Sequence, residues 1–186
     1  PSNAVARGTM RPPLTLTTLD GAPFDEGTLP PHRALVVAFI CPHCPFVTHL
    51  RDALGVFGAE LEASRSAMIA VNSNDLERFP DDGPSGMREE ISDGDYGFPY
   101  LLDPTQATAH AFRAACTPDF YVFDARGALT YHGQFDGSRP GNGLPITGED
   151  LRAAVRATVQ GVATSGEMTP SIGCNIKWKI GNEPTG

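Results

Sequence analysis

At 186 residues, with 40% of them apolar, the chain has the size of one domain able to bury a core without covalent staples. Its formal net charge of −8 excludes a general nucleic-acid binder, which needs a basic face to neutralise phosphates, and its acidic residues are scattered rather than gathered into a tail. No apolar run approaches the roughly 20 residues that span a bilayer, so no membrane partner is expected.

Residues 1–13 contain arginines but no apolar stretch, so they do not read as a secretory leader. They are expected as a flexible arm before a domain at 14–161, with residues 162–186 as a C-terminal tail docking on it. The expected address is cytoplasmic, although a secreted chain whose leader has been removed fits the same residues. The 4 cysteines are too sparse for a disulfide scaffold. In a reducing compartment they read as catalytic, redox-sensing or metal-binding.

Along the chain, residues 14–19 (LTLTTL) alternate loosely and predict a first, edge-type strand, and residues 21–32 a loop. Residues 34–40 (ALVVAFI) form a continuous apolar run, the pattern of a strand covered on both faces. Val47, Leu50, Leu54, Phe57 and Leu61 step by three and four and predict a helix. Because Pro42 and Pro45 are tolerated only near a first turn, that helix must begin close to Cys41 and Cys44. Residues 67–71 read as a buried strand, and a short helix is expected around 87–91 in the polar stretch that follows.

Asp103-Pro104-Thr105-Gln106 predicts a helix start, continuing through Ala115. Residues 120–123 and 129–131 predict two strands joined by Asp124-Ala125-Arg126-Gly127. Thr147-Gly148-Glu149-Asp150 resembles a capping box opening a helix that carries Leu151, Ala154, Val155 and Val159, with Gly161 to stop it. Helices crossing between buried strands imply an α/β domain with a mostly parallel sheet. The late hairpin adds an antiparallel edge, making the sheet mixed.

Cys41-Pro42-His43-Cys44 falls at a predicted strand-to-helix junction. The helix N-terminus offers positive potential and free N–H groups, which stabilise thiolate over thiol and mark Cys41 as the expected nucleophile. Three residues on, Cys44 is within reach to resolve a mixed disulfide. Pro42 stiffens the turn, and His43 adds a dipole or charge that favours the thiolate side. A four-cysteine zinc site would need Cys116 and Cys174, which form no second Cys-x-x-Cys, so no metal and no other cofactor is expected. Haem attachment would need histidine where Pro45 stands.

These residues resemble the thioredoxin superfamily, and within it a peroxiredoxin-like branch of the alkyl-hydroperoxide-reductase/thiol-specific-antioxidant (AhpC/TSA) type, also labelled probable thiol–disulfide isomerase. The resemblance rests on FICPHCPFV at 39–47, AVNSND at 70–75, FPYL at 98–101, CTPDF at 116–120, DGSRP at 136–140 and IGCNIKW at 172–178. It implies a thioredoxin-like fold and a thiol–disulfide oxidoreductase acting on protein or small-thiol disulfides, with a thiol reductant as second partner. It also implies that Pro118 is cis and faces the Cys-x-x-Cys, with Thr117 offering backbone groups to an extended substrate. The branch commonly has asparagine at the place of Pro42; the Pro-His pair instead resembles strongly oxidising periplasmic thiol oxidases. A peroxidase would need P-x-x-x-T-x-x-C. The chain has Ala34 and Ala38 in the Cys41 register, and Val37 and Cys41 in the Cys44 register, so the threonine and proline are missing from both.

Cys116 and Cys174 are candidate additional redox thiols; a buried free cysteine and a Cys116–Cys174 bridge are the alternatives. His32, His49, His110 and His132 show no ligand spacing and read as surface or satisfied histidines. Asp136 and Arg139 are expected to pair and brace their loop, and Trp178 to pack. Two rival functions remain: a non-catalytic redox sensor or partner-binding module on the same fold, and a thiol-dependent peroxidase.

Overall fold

The computed structural model describes residues 1–164 and 166–184. Residues 165, 185 and 186 of the expected tail lie outside them.

The apolar run becomes β1 (Ala34–Phe39), buried at every position. A strand buried on both faces belongs in the middle of a sheet. β1 pairs in parallel with β2 (Ser66–Asn72) and antiparallel with β5 (Asp119–Asp124). β3 (Tyr100–Leu102) extends the parallel side and β6 (Leu129–Gly133) the antiparallel side, giving the order β3-β2-β1-β5-β6. Successive side chains of β1 face opposite ways. Val36 and Ala38 meet Val47, Leu54 and Phe57 of α1 (Pro45–Leu61) and Leu151 and Val155 of α4 (Glu149–Gln160). Leu35, Val37 and Phe39 meet Ala109 and Phe112 of α3 (Ala107–Phe112). Each face is therefore covered by helices whose apolar stripes match it, the arrangement expected of an α/β domain.

The helix after the cysteines begins at Pro45, whose missing N–H is no loss in a first turn. Beside it α2 (Pro84–Gly94) is longer than the short helix expected at 87–91. The two helices touch backbone to backbone: a Cβ on Gly55 would come within 1.8 Å of the Gly94 carbonyl oxygen. Among the described residues no helix is long and apolar enough to cross a membrane.

Several expected elements are corrected. Residues 14–19 do not form a strand; Thr17 alone bridges to Leu102 and Pro23. A turn closed by Gly21 N–H donating to the Thr18 carbonyl folds the segment back before a ladder can extend. The helix expected from Asp103 through Ala115 is only α3. Asp103 still caps it, its carboxylate accepting from the Thr108 and Ala109 amides at 3.2 and 2.8 Å. The helix waits, however, for Gln106, which sits in the left-handed region (φ 61°) with its buried amide donating to the Ser73 and Lys177 carbonyls.

At α4 the capping box does not form. Gly148 is the N-cap, and the Thr147 and Gly148 amides both donate to Asp136 at 2.6 Å. Asp136 and Arg139 make no ion pair either. The Arg139 guanidinium donates to the Asp136 and Ser138 carbonyls and to Gln134 Oε1. Against the desolvation of its setting, hydrogen bonds from Ser138, Gly148 and Thr147 hold the Asp136 carboxyl below its usual range. The loop is braced, but each partner works through backbone groups.

The first thirteen residues, expected as a flexible arm, run along β6 and the tail. Gly8 N–H donates to the Leu129 carbonyl, Met10 bridges Ala128, and Ser2 exchanges hydrogen bonds with Ser171. Three short strands have no counterpart among the expected elements: β3, and the antiparallel pair β4 (Cys116–Thr117) and β7 (Cys174–Asn175).

Glu90 of α2 is 4% exposed and accepts from Tyr96 and Tyr100 at 3.2 and 2.9 Å. Burial pushes its carboxyl up from 4.5 to about 7, partly opposed by the two tyrosines. The folded chain thus keeps a proton that the unfolded chain loses, so stability should fall as pH rises from 4.5 to about 7 and then level off. At ~1.4 kcal/mol per pKa unit the loss is of order 3 kcal/mol. Urea midpoints of wild type and Glu90→Gln at pH 5 and pH 8 check this: the variant should lose most of the difference, and an equal difference in both would assign the pH dependence elsewhere.

Candidate active site

Cys41 follows one residue after β1, and Cys44 is the N-cap of α1. The central strand thus fixes one sulfur and the first helical turn the other. Both thiols are free and buried, Cys41 4% and Cys44 1% exposed. Facing them is the Thr117–Pro118 bond, which is cis and joins β4 to β5. Thr117 touches both sulfurs: its hydroxyl lies 3.5 Å from Cys41 Sγ, and its carbonyl accepts from Cys44 Sγ at 3.1 Å.

The two sulfurs are also within hydrogen-bonding reach of each other, so they ionise as a pair. An S–H from one stabilises the thiolate of the other, so the first proton leaves readily. The second is held, by that hydrogen bond first and then by burial, with the Asp82 charge adding to the effect at Cys41. At Cys44 two influences compete. The bond from Cys41 and contacts with Thr117 and Cys174 favour a thiolate there, whereas burial and the S–H donated to the Thr117 carbonyl favour the thiol. The charge belongs to the pair rather than to one sulfur.

His43 is exposed and Pro42 half-buried. A residue that sequence reasoning missed orients the histidine. Asp82, 5% exposed, accepts from the His43 backbone amide at 3.1 Å and lies 3.0 Å from its Nδ1. Asp82 is held in turn by Asn74 Nδ2 at 2.8 Å, while Asn72 donates to the Asp82 carbonyl at 2.7 Å. Nothing in residues 72–97 read alone marks Asp82, because only the fold of the loop after β2 carries it to the Cys-x-x-Cys turn.

Cys116 and Cys174 part company. On paired strands side chains alternate, and Cys174 lies opposite Thr117 whereas Cys116 lies opposite Asn175. Cys174 therefore shares the Thr117 face and lies within hydrogen-bonding reach of Cys44. Cys116 is fully buried, 3.9 Å from the Pro118 and Ser171 carbonyls, and burial pushes its thiol up to about 12.

The histidines expected as surface or satisfied groups are mostly so. His32 meets the Pro30 carbonyl, His132 pairs with buried Asp119 at 3.0 Å, and His110 packs on Trp178 with its Nε2 at the Asn182 carbonyl. His49 departs from this: its Nε2 is buried without a partner, as are Arg139 Nε and Ser171 Oγ. All three residues line one crevice beside Pro118. Among the described residues no three histidine, cysteine or acidic side chains are grouped to hold a metal ion.

A strand-to-helix Cys-x-x-Cys set against a cis-proline loop, on a sheet of this order, defines a thioredoxin-like protein. Residues 8–132 match the AhpC/TSA family, and the chain belongs to it. Its structure is similar to that of hypothetical protein SMc02350 from Sinorhizobium meliloti 1021, at 44% identity and TM-score 0.92 over 97% of this chain and 98% of that one. It is equally similar to an uncharacterized conserved protein from Geobacillus kaustophilus, at 44% identity and TM-score 0.90 over 96% and 95%. A secreted Mycobacterium tuberculosis disulfide oxidoreductase homologous to E. coli DsbE shares the fold at 22% identity and TM-score 0.59, over 77% of this chain and 95% of that one. No curated protein matches the chain.

Replacing Asp82 by Asn keeps an acceptor for His43 and removes one negative charge facing the thiols, at the cost of the Asn74 hydrogen bond. Thiolate should form more readily, so iodoacetamide should label the pair faster at pH 7. The reduction potential of the Cys41/Cys44 couple should rise, by ~30 mV for each tenfold stabilisation of the reduced form. An unchanged potential would mean that the Asp82 charge is screened from the sulfurs.

Proposed function

We propose that the chain is a thiol–disulfide oxidoreductase of reductase or isomerase type, working through the Cys41/Cys44 dithiol–disulfide couple. The observation that carries this reading is the pair of free sulfurs in mutual hydrogen-bonding reach, both contacted by Thr117. Cys41 attacks a substrate disulfide, expelling one substrate thiol and leaving a mixed disulfide. Cys44 attacks Cys41 Sγ, releases the second substrate thiol and closes the Cys41–Cys44 bond. A thiol reductant then returns the pair to the dithiol.

His43 stabilises the thiolate side and Pro42 stiffens the turn; Pro118 borders the substrate, whereas the backbone edge of Thr117, expected to pair with it, is occupied by β7. In a cytoplasm that holds thiols reduced, such a centre serves to reduce or reshuffle stray disulfides. The missing proline and threonine of the P-x-x-x-T-x-x-C pattern count against a peroxidase, and a redox sensor need not turn over.

Reduction of insulin disulfides with dithiothreitol as donor tests the reading. Cys41→Ser should abolish turnover, and Cys44→Ser should accumulate mixed disulfides with substrate. Turnover that survives Cys41→Ser, or peroxide consumption exceeding disulfide reduction, would overturn it.

A further inference from the structure

The tail reaches the redox centre by a route that the dithiol reaction does not need. Ser171 is buried, residues 172–173 lead into β7, and β7 pairs with β4, placing Cys174 opposite Thr117. The approach is close enough to dictate a residue type. A Cβ on Gly173 would stand 1.8 Å from the Thr117 carbonyl oxygen and 2.6 Å from its carbon, so only glycine passes. The backbone edge of Thr117, which the family resemblance gave to an extended substrate, is therefore already taken by the chain's own extended segment. That segment carries a thiol on the Thr117 face, beside Cys44.

We infer that Cys174 is a third redox thiol, which accepts the disulfide from the Cys41/Cys44 pair by bonding to Cys44. This rests on the Cys41/Cys44 reading above.

The step balances within the chain. After a substrate has been reduced, Cys41 and Cys44 share a disulfide. The Cys174 thiolate attacks Cys44 Sγ, a Cys44–Cys174 bond forms, and the Cys41–Cys44 bond breaks. Cys41 leaves with the electron pair and takes up the proton that Cys174 gave up. One disulfide replaces another, and no oxidant or reductant is consumed. The thiol reductant then attacks the Cys44–Cys174 bond at Cys174, which is partly exposed whereas Cys41 and Cys44 are buried. Cys44 leaves as thiolate and takes up a proton, and a second reductant thiol frees Cys174 by closing the reductant's own disulfide.

The electrostatics time this step. In the reduced form burial, then the hydrogen bond and charge of Cys44, push the Cys174 thiol up to about 11, while Lys177 pulls the other way. The Cys44 contributions vanish once Cys44 is in a disulfide, because that sulfur then carries neither charge nor proton. Cys174 is thus quiet beside the dithiol and eased toward thiolate beside the disulfide. Cys116 cannot substitute for it, because the pleat turns its sulfur to the opposite face.

The test is a disulfide map of the full chain after one equivalent of oxidised glutathione, quenched in acid and digested without reduction. Peptides joined through Cys44 and Cys174 are expected in wild type, and in higher yield in Cys41→Ser, where the competing bond cannot form. Cys174→Ser should lose that product and slow steady-state insulin reduction several-fold. Gly173→Ala should lose it with Cys174 still present, because the strand can no longer seat on Thr117. If Cys41→Ser keeps glutathione on Cys44 with Cys174 free, and Cys174→Ser turns over like wild type, the inference is overturned while the Cys41/Cys44 reading stands. Loss of that reading shows itself separately, as insulin turnover surviving Cys41→Ser.

Discussion

Thr117 is held to one place by contacts from three directions, and the rest of the centre is arranged around it. Its hydroxyl reaches Cys41, its carbonyl takes the Cys44 thiol, and its backbone pairs with β7. Each of these partners arrives on a different element: the end of the central strand, the cap of α1 and the C-terminal segment. A shift of Thr117 by a fraction of an ångström would break a hydrogen bond to one sulfur or drive its carbonyl into Gly173. The surrounding packing leaves little room for such a shift, because the strand that follows, β5, is buried almost throughout and lies directly against β1.

Much of this could be read from residue types. The uninterrupted run at 34–39 announces a two-face buried strand, and the prolines at 42 and 45 leave only one place for the helix to begin. Those two facts put Cys41 and Cys44 at the junction. What could not be read depends on contacts between segments distant in the chain. Asp103 still caps its helix, but the demand of buried Gln106 for the Ser73 and Lys177 carbonyls moves the start to Ala107. Asp136 and Arg139 were a plausible ion pair by spacing, yet each found backbone groups nearer to hand. β3, β4 and β7 are two or three residues long, too short to show any periodicity.

Asp82 illustrates the same limit at the site itself. A buried carboxylate among unremarkable polar residues has no local signature. Its meaning comes from what faces it, a histidine amide and ring 39 residues earlier. Cys174 is legible as a cysteine and illegible as a neighbour of Cys44, because a pairing of two residues in register decides which face it shares.

The polar contacts behind the site form one continuous chain. His43 leans on Asp82, Asp82 accepts from Asn74, and Asn74 accepts the Lys177 backbone amide at 2.9 Å. That amide is half-buried and its exchange with solvent requires the C-terminal segment to lift. Its deuterium uptake, followed by NMR in the reduced and oxidised chain, therefore reports tail opening with no label attached to a sulfur. Because the same chain of contacts ends on the histidine, a change in tail opening between the two redox forms should be accompanied by a shift of the His43 ring resonances.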